Sequence, residues 1–236
     1  MRADHKILTE TQERFLNEFF LGGGSTYYLS GGTALAAFYL QHRFSDDLDF
    51  FTREEERPEV STPLVERAAH ASGLTLERVA SRRVLTQFFL SGDAHPDHPL
   101  TKVECLIDTP PYFADPRVLG GVFVDDLLCI GVNKVTTVTE RSEPKDYVDL
   151  YLIVQQGGLR LEDLIRLAQE KTLRLSDLSI AAGFDKVDEL RGIAGFQRKY
   201  MLIDVGEADL VAFYKDWAHR IYAQLPPGTR YEGPAQ

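Results

Sequence analysis

Two short stretches of this chain carry the residue types that phosphate chemistry needs. The first is Leu29-Ser30-Gly31-Gly32-Thr33, where an aromatic, apolar segment runs through two glycines and a hydroxyl residue into the helix-forming ALAAFYLQH. Glycines let the backbone approach a phosphate closely and take up positive φ. A helix start supplies unpaired N–H groups and the positive end of a dipole. Gly31, Gly32 and the hydroxyl of Thr33 therefore form a candidate cradle for a nucleoside triphosphate. The same residues also suit a plain turn before a helix.

The second stretch is Asp47-Leu48-Asp49-Phe50. Alternation along a strand puts both carboxylates on one face, about 7 Å apart at the Cα atoms. Two such carboxylates repel unless a cation lies between them. Mg2+ (or Mn2+) is suited to that place, because hard ions take oxygen ligands and keep phosphates as partners. Paired metals can activate an attacking hydroxyl and stabilise a departing pyrophosphate. The bland alternative is a solvated edge strand with its acids outward. A third carboxylate on a neighbouring strand would favour metal. Glu104, flanked by Val103 and Cys105 in TKVECLID, is the first candidate and Asp108, at that strand's end, the second.

The elements that must position these groups follow from pattern. Apolar residues at helical spacing predict a helix over 6–21, with Thr9 or Thr11 as cap. Short strands are predicted at 27–29 and 48–51, and helices over 34–42 and 61–73, the latter ended by Gly73. LTLERVA, RRVLTQFFL and TKVECLID read as three strands, the last two joined by the polar loop SGDAHPDHP. Beyond Gly120-Gly121 the texture changes. Residues 127–141 read as a short strand turning into a helix. Helices are predicted over 144–157, with Pro144 in the first turn, over 159–172 and over 207–225, and a loose tail from Pro226. The expected fold is α+β: a mixed sheet flanked by helices over residues 1–125, then a mostly helical part over 126–236.

Composition sets outer limits. The chain has 236 residues, 44% hydrophobic and 26% charged, ordinary for a soluble globular protein. Its two cysteines, Cys105 and Cys129, lie in apolar runs and form no CxxC, which suits a reducing cytoplasm. No apolar run approaches a bilayer span, and no secretion signal is legible at the N-terminus. The formal net charge is −10, the wrong sign for a general nucleic-acid coat. From Arg78 to Lys145 eight Lys/Arg face nine Asp/Glu, so charge gives no support to an RNA partner and excludes none.

The motifs together resemble those of a known superfamily. A hydrophobic residue, Gly-Gly, a gap, then Asp-hydrophobic-Asp-hydrophobic resembles the DNA polymerase β-like nucleotidyltransferase pattern. Fourteen residues separate Gly32 from Asp47, near the gap that pattern expects. The longer string YLSGGTALAAFYLQHRFSDDLDFF is similar to the first motif of the AbiEii/AbiGii toxin family. Lys134, then Arg141, then Lys145-Asp146-Tyr147-Val148-Asp149-Leu150 resemble that family's later block. The resemblance spans about residues 26–155.

This resemblance implies a polymerase β-like nucleotidyltransferase fold. It implies transfer of a nucleoside monophosphate from an NTP such as ATP or GTP to an acceptor, with pyrophosphate released. It implies Asp47 and Asp49 as Mg2+ ligands, with Glu104 as the weakest carry-over. Lys134 would lie near the triphosphate, and Asp146 would be an acceptor-side base, the helical part contributing both to the site. Asp149 is a further acid there, or holds Lys134 in place. Arg43 and Ser45 fit the pattern as nucleotide-binding residues, or shape the turn before Asp47. Asp146 and Asp149 also suit a helix first turn, where acids are favoured. The expected partners are a tRNA 3′ end as acceptor and an antitoxin protein. The alternatives are a protein or small-molecule acceptor, or a nucleotide-binding module without turnover.

Overall fold

The computed structural model describes residues 7–54, 58–82, 85–91, 101–190, 192–226 and 229. The predicted polar loop at 92–99 and nearly all of the predicted tail lie outside these residues. The chain divides into two compact units, one up to Asp126 and one from Leu127.

The first unit holds the sheet. Helix α1 (Glu10–Leu21) starts at a capping box, with Thr9 and Gln12 each bonding the other's backbone; such a box satisfies two donors that the first turn leaves orphaned. Strand β1 (Tyr27–Ser30) runs directly into helix α2 (Gly31–Ala34), which continues as π-helix over Leu35–Leu40. Then come β2 (Leu48–Thr52), α3 (Pro58–Ala71), β3 (Thr75–Arg82), β4 (Leu85–Ser91), β5 (Thr101–Ile107), β6 (Arg117–Leu119) and β7 (Val122–Val124). The seven strands lie in the order β3-β4-β5-β2-β1-β7-β6. β2 runs parallel to β5, β1 runs parallel to β7, and the other neighbours are antiparallel. This is the mixed sheet with helices that the motifs imply.

Strands β2, β4 and β5 each have a buried face and a half-exposed one, whereas β1 is buried throughout. Leu48, Phe50, Phe88, Leu90 and Val103 are fully buried. Phe19 of α1 stacks on Phe50 with ring centroids 4.2 Å apart, and Phe15 packs beside both. Burying each such side chain stabilises by about 1.5–3 kcal/mol. The alternate residues Asp49, Gln87, Lys102 and Glu104 stand on the other face, each half-buried. The strand period thus places the polar groups together once the apolar set is buried on the opposite face.

The second unit is helical: α4 (Leu127–Glu140), α5 (Pro144–Gln156), α6 (Leu161–Lys171), α7 (Asp177–Asp185), α8 (Ile193–Tyr200) and α9 (Glu207–Gln224). Its core includes Val135, Leu150, Ile153, Leu164, Ile180, Phe184 and Leu210. Tyr147 and Tyr214, both fully buried, donate their hydroxyls to the carbonyls of Gly183 and Tyr147. A buried phenol needs such a partner.

One sequence expectation is corrected. Residues 127–140 are helical throughout, with no strand at their start. The strands of that region lie earlier, as the β6–β7 hairpin, turned by Gly120 and Gly121 at φ 59° and 85°. Two consecutive positive φ values are what a tight hairpin requires, and the Gly-Gly pair was the available signal.

Candidate active site

The site is assembled from the two ends of β1 and β2 that meet. Ser30 pairs with Asp49 across the antiparallel ladder, so the glycine turn emerges beside the second aspartate. Gly31 has φ 67°, and a Cβ there would run into the Asp49 carboxylate. A Cβ on Gly32 would collide with the Arg43 guanidinium and come within 3.2 Å of the Ser45 hydroxyl. Gly31, Gly32, Arg43, Ser45 and Asp49 therefore converge. The Thr33 hydroxyl is buried and donates to the backbone carbonyl of Asp47. It braces the glycine turn against the entry to β2, its proton directed inward.

Three further residues hold this arrangement, two of which, Gln12 and Asp125, lie outside the motifs. Gln12 of α1 donates from Nε2 to the Ser45 carbonyl at 2.8 Å. Arg43, almost fully buried, donates to the Phe44 carbonyl at 2.8 Å. Asp125, just after β7, accepts from the Ser30 hydroxyl at 2.7 Å. Its backbone N–H donates to Leu29 at 2.9 Å, and its carbonyl accepts from the Tyr39 hydroxyl at 2.7 Å. Asp125 thereby ties β1, β7 and the helix after the glycines into one support. An Asp-Asp pair closing a strand was its sole trace in the sequence.

The third carboxylate candidate lies next door. Glu104 is level with Asp49 in the parallel β2–β5 register. Gln87 donates to its Oε1 at 3.0 Å, and the Lys102 ammonium lies 3.1 Å from its Oε2. Lys102 also stands 3.4 Å from Asp47 Oδ2. Burial acts to lower the Lys102 pKa, but Asp47 and Glu104 outweigh it and hold the group above its ordinary value. Asp108 is not part of this cluster. It follows Ile107, whose partner is Thr52 at the far end of β2, and it accepts from the Tyr28 hydroxyl at 2.6 Å. Burial first, then Asp108, pushes that phenol far above its usual range.

Does this donor set fit a divalent cation? Among the described residues no group of three or more Asp, Glu, His or Cys side chains is placed to hold a metal ion. The chemistry of the set nonetheless suits Mg2+, which takes one or two carboxylates and draws its remaining ligands from phosphate and water. An ammonium already drawn toward Asp47 and Glu104 marks the place as one that calls for positive charge.

In the second unit Lys134 of α4 is buried with Nζ 2.7 Å from Asp146 Oδ1 and 2.6 Å from Asp149 Oδ2 of α5. Arg141 Nε adds a bond to Asp146 Oδ2 at 2.9 Å. Both aspartates are fully buried. Positions 146 and 149 fall on one helix face, so a single lysine reaches both. Buried charges persist when paired and hydrogen-bonded in this way.

Comparison with known proteins places this architecture among nucleotidyltransferases. The fold is similar to two solved structures from Helicobacter pylori. One is the protein JHP933, at TM-score 0.59 and 16% identity, covering 91% of this chain and 90% of that one. The other is a candidate nucleotidyltransferase, at TM-score 0.58 and 18% identity, covering 92% and 97%. An uncharacterized Aquifex aeolicus protein is 29% identical over 183 residues, 74% of this chain and 80% of its own length. Residues 14–198 match the family described as the nucleotidyl transferase AbiEii toxin of type IV toxin–antitoxin systems, and the chain belongs to that family. Among the described residues no helix is long and apolar enough to cross a membrane.

Proposed function

We propose that this chain is a metal-dependent nucleotidyltransferase that moves a nucleoside monophosphate from an NTP to an acceptor hydroxyl, acting as the toxin of a toxin–antitoxin pair. The observation that carries the reading is the packing of Asp49 against Gly31 and of Arg43 and Ser45 against Gly32, with Thr33 bonded to Asp47. A backbone turn stripped of Cβ atoms, beside two carboxylates, suits a polyphosphate and its counter-ion.

The residues divide the work as follows. The N–H groups of Gly31 and Gly32, at the start of a helix, bind phosphate oxygens. Arg43 braces the turn from behind and adds positive charge. Asp47 and Asp49 would hold Mg2+ or Mn2+, with Glu104 beside them. The metal, when bound, supplies charge neutralisation on the triphosphate and acidifies the acceptor hydroxyl. In the second unit Asp146 and Asp149 fix the Lys134 amine; the family resemblance assigns this trio to the triphosphate and the acceptor side. Catalysis by such a set is positioning and electrostatics.

The acceptor in this reading is the 3′ end of an RNA such as tRNA. The net charge of −10 and the absence of a basic run favour, as the second reading, a protein or small-molecule acceptor. Incubation with each labelled NTP, Mg2+ and total cellular RNA or protein separates them. Label in the RNA fraction supports the first, and label in protein the second. Nucleotide binding without pyrophosphate release in any mixture would leave a non-catalytic binding module.

A further inference from the structure

Lys102 has no part in the reading above, yet it lies against the carboxylates that reading depends on. Strand alternation puts it on the same face of β5 as Glu104. Its Nζ is 3.1 Å from Glu104 Oε2 and 3.4 Å from Asp47 Oδ2. Gln87 holds the other Glu104 oxygen at 3.0 Å, so Glu104 is anchored from both sides and Lys102 is anchored to it. The side chains of Asp47, Lys102 and Glu104 are 33%, 27% and 19% exposed, open enough for an ion to enter. Asp49 stands level with Glu104. Among Asp47, Asp49, Glu104 and Lys102 the carboxylates outnumber the ammonium, and the Arg43 guanidinium lies beside the adjoining glycine turn.

We propose that Lys102 is a built-in cation of this cluster, competing with a divalent metal for Asp47 and restricting the nucleotide-free protein to one such ion. The proposal rests on the reading that Asp47 and Asp49 hold metal. Without an ion, Lys102 keeps Asp47 and Glu104 from repelling each other. When a divalent ion enters beside Asp49, Lys102 gives up Asp47 and stays with Glu104. Its positive charge opposes a second ion until a triphosphate brings negative charge of its own.

The test is Mn2+ binding to the full chain without nucleotide, counted from the electron paramagnetic resonance signal of free Mn2+. Wild type is expected to hold one ion. Lys102→Met is expected to bind at least about tenfold more tightly, because a neighbouring positive charge has been removed, or to take up a second ion. Lys102→Arg, which keeps the charge, should match wild type. In EDTA the Lys102→Met protein should melt below wild type, and Mn2+ should close the gap. Wild-type affinity and stoichiometry in Lys102→Met, with the ion still lost in Asp49→Asn, would overturn the role of Lys102 alone. An equal shift in Lys102→Arg would overturn it as well, since charge would not be the cause. Failure of every protein to bind Mn2+ would remove the metal reading and this proposal with it. Should Lys102→Met not fold, Lys102→Gln carries the same measurement.

Discussion

Gly31 and Asp49 occupy one space: the backbone of the first, at φ 67°, leaves room for the carboxylate of the second and for nothing larger than hydrogen. This is a relation between a turn and a strand eighteen positions later, made by the β1–β2 ladder that sets Ser30 opposite Asp49. Gly31→Ala is expected to destabilise by about 1–3 kcal/mol, since a non-glycine residue there is strained and must displace Asp49. Urea denaturation should record the loss. Gly192→Ala, also at positive φ but with open space around its Cβ, is the control: comparable strain, and no loss of nucleotide transfer.

The carboxylates are tested by neutralisation. Asp47→Asn and Asp49→Asn should each reduce pyrophosphate release by about a hundredfold to a thousandfold, the scale on which charge-stabilising groups act. Their melting temperatures should stay near wild type, because both groups lie on the half-exposed face. Undiminished release by either variant would reject the assignment of these residues to metal.

Removal of the ion is the complementary measurement. Dialysis against EDTA should abolish pyrophosphate release, and Mg2+ or Mn2+ should restore it. Activity that survives exhaustive chelation would rule out divalent-metal dependence.

Lys134 carries a second, separable expectation. Lys134→Met takes the ammonium away from two buried carboxylates, those of Asp146 and Asp149. Breaking one partner of a buried pair costs about 3–5 kcal/mol. The triple variant Lys134→Met, Asp146→Asn, Asp149→Asn should recover much of that stability, because no lone charge remains, while transfer stays absent. Equal stability of the single and triple variants would show that the three side chains do not act as one network.

Asp125 is expected to matter through Ser30. Asp125→Ala removes the buried acceptor of the Ser30 hydroxyl, a loss of about 1–3 kcal/mol. It should also raise KM for the NTP by loosening the glycine turn. Ser30→Ala, which takes one donor from the buried Asp125 carboxylate, should cost at least as much. A KM unchanged in Asp125→Ala would mean that the turn keeps its shape without this support.

Much of the molecule was legible from local chemistry. The Gly-Gly-Thr turn, the Asp-x-Asp strand and the outward-facing Glu104 follow from strand and helix periodicity, which depends on neighbours one to four positions apart. The helices at 144–156 and 161–171 were readable for the same reason, with Pro144 at the first turn and Gly157 at the end. Where two local signals competed, reading stopped short. Residues 127–130 are apolar enough for either state, and the true strands before them are three residues each, too short to show a period. What no local pattern could decide is which residues meet across the sheet. The register of β2 on β5 sets Glu104 beside Asp49 and sends Asp108, just past the end of β5, to the other end of the pair. The same register carries Lys102 to Asp47, and the pairing of β1 with β7 carries Asp125 to Ser30. Such contacts join positions dozens of residues apart. They exist because the apolar faces of the strands are buried together, and that burial fixes the polar neighbours as a consequence.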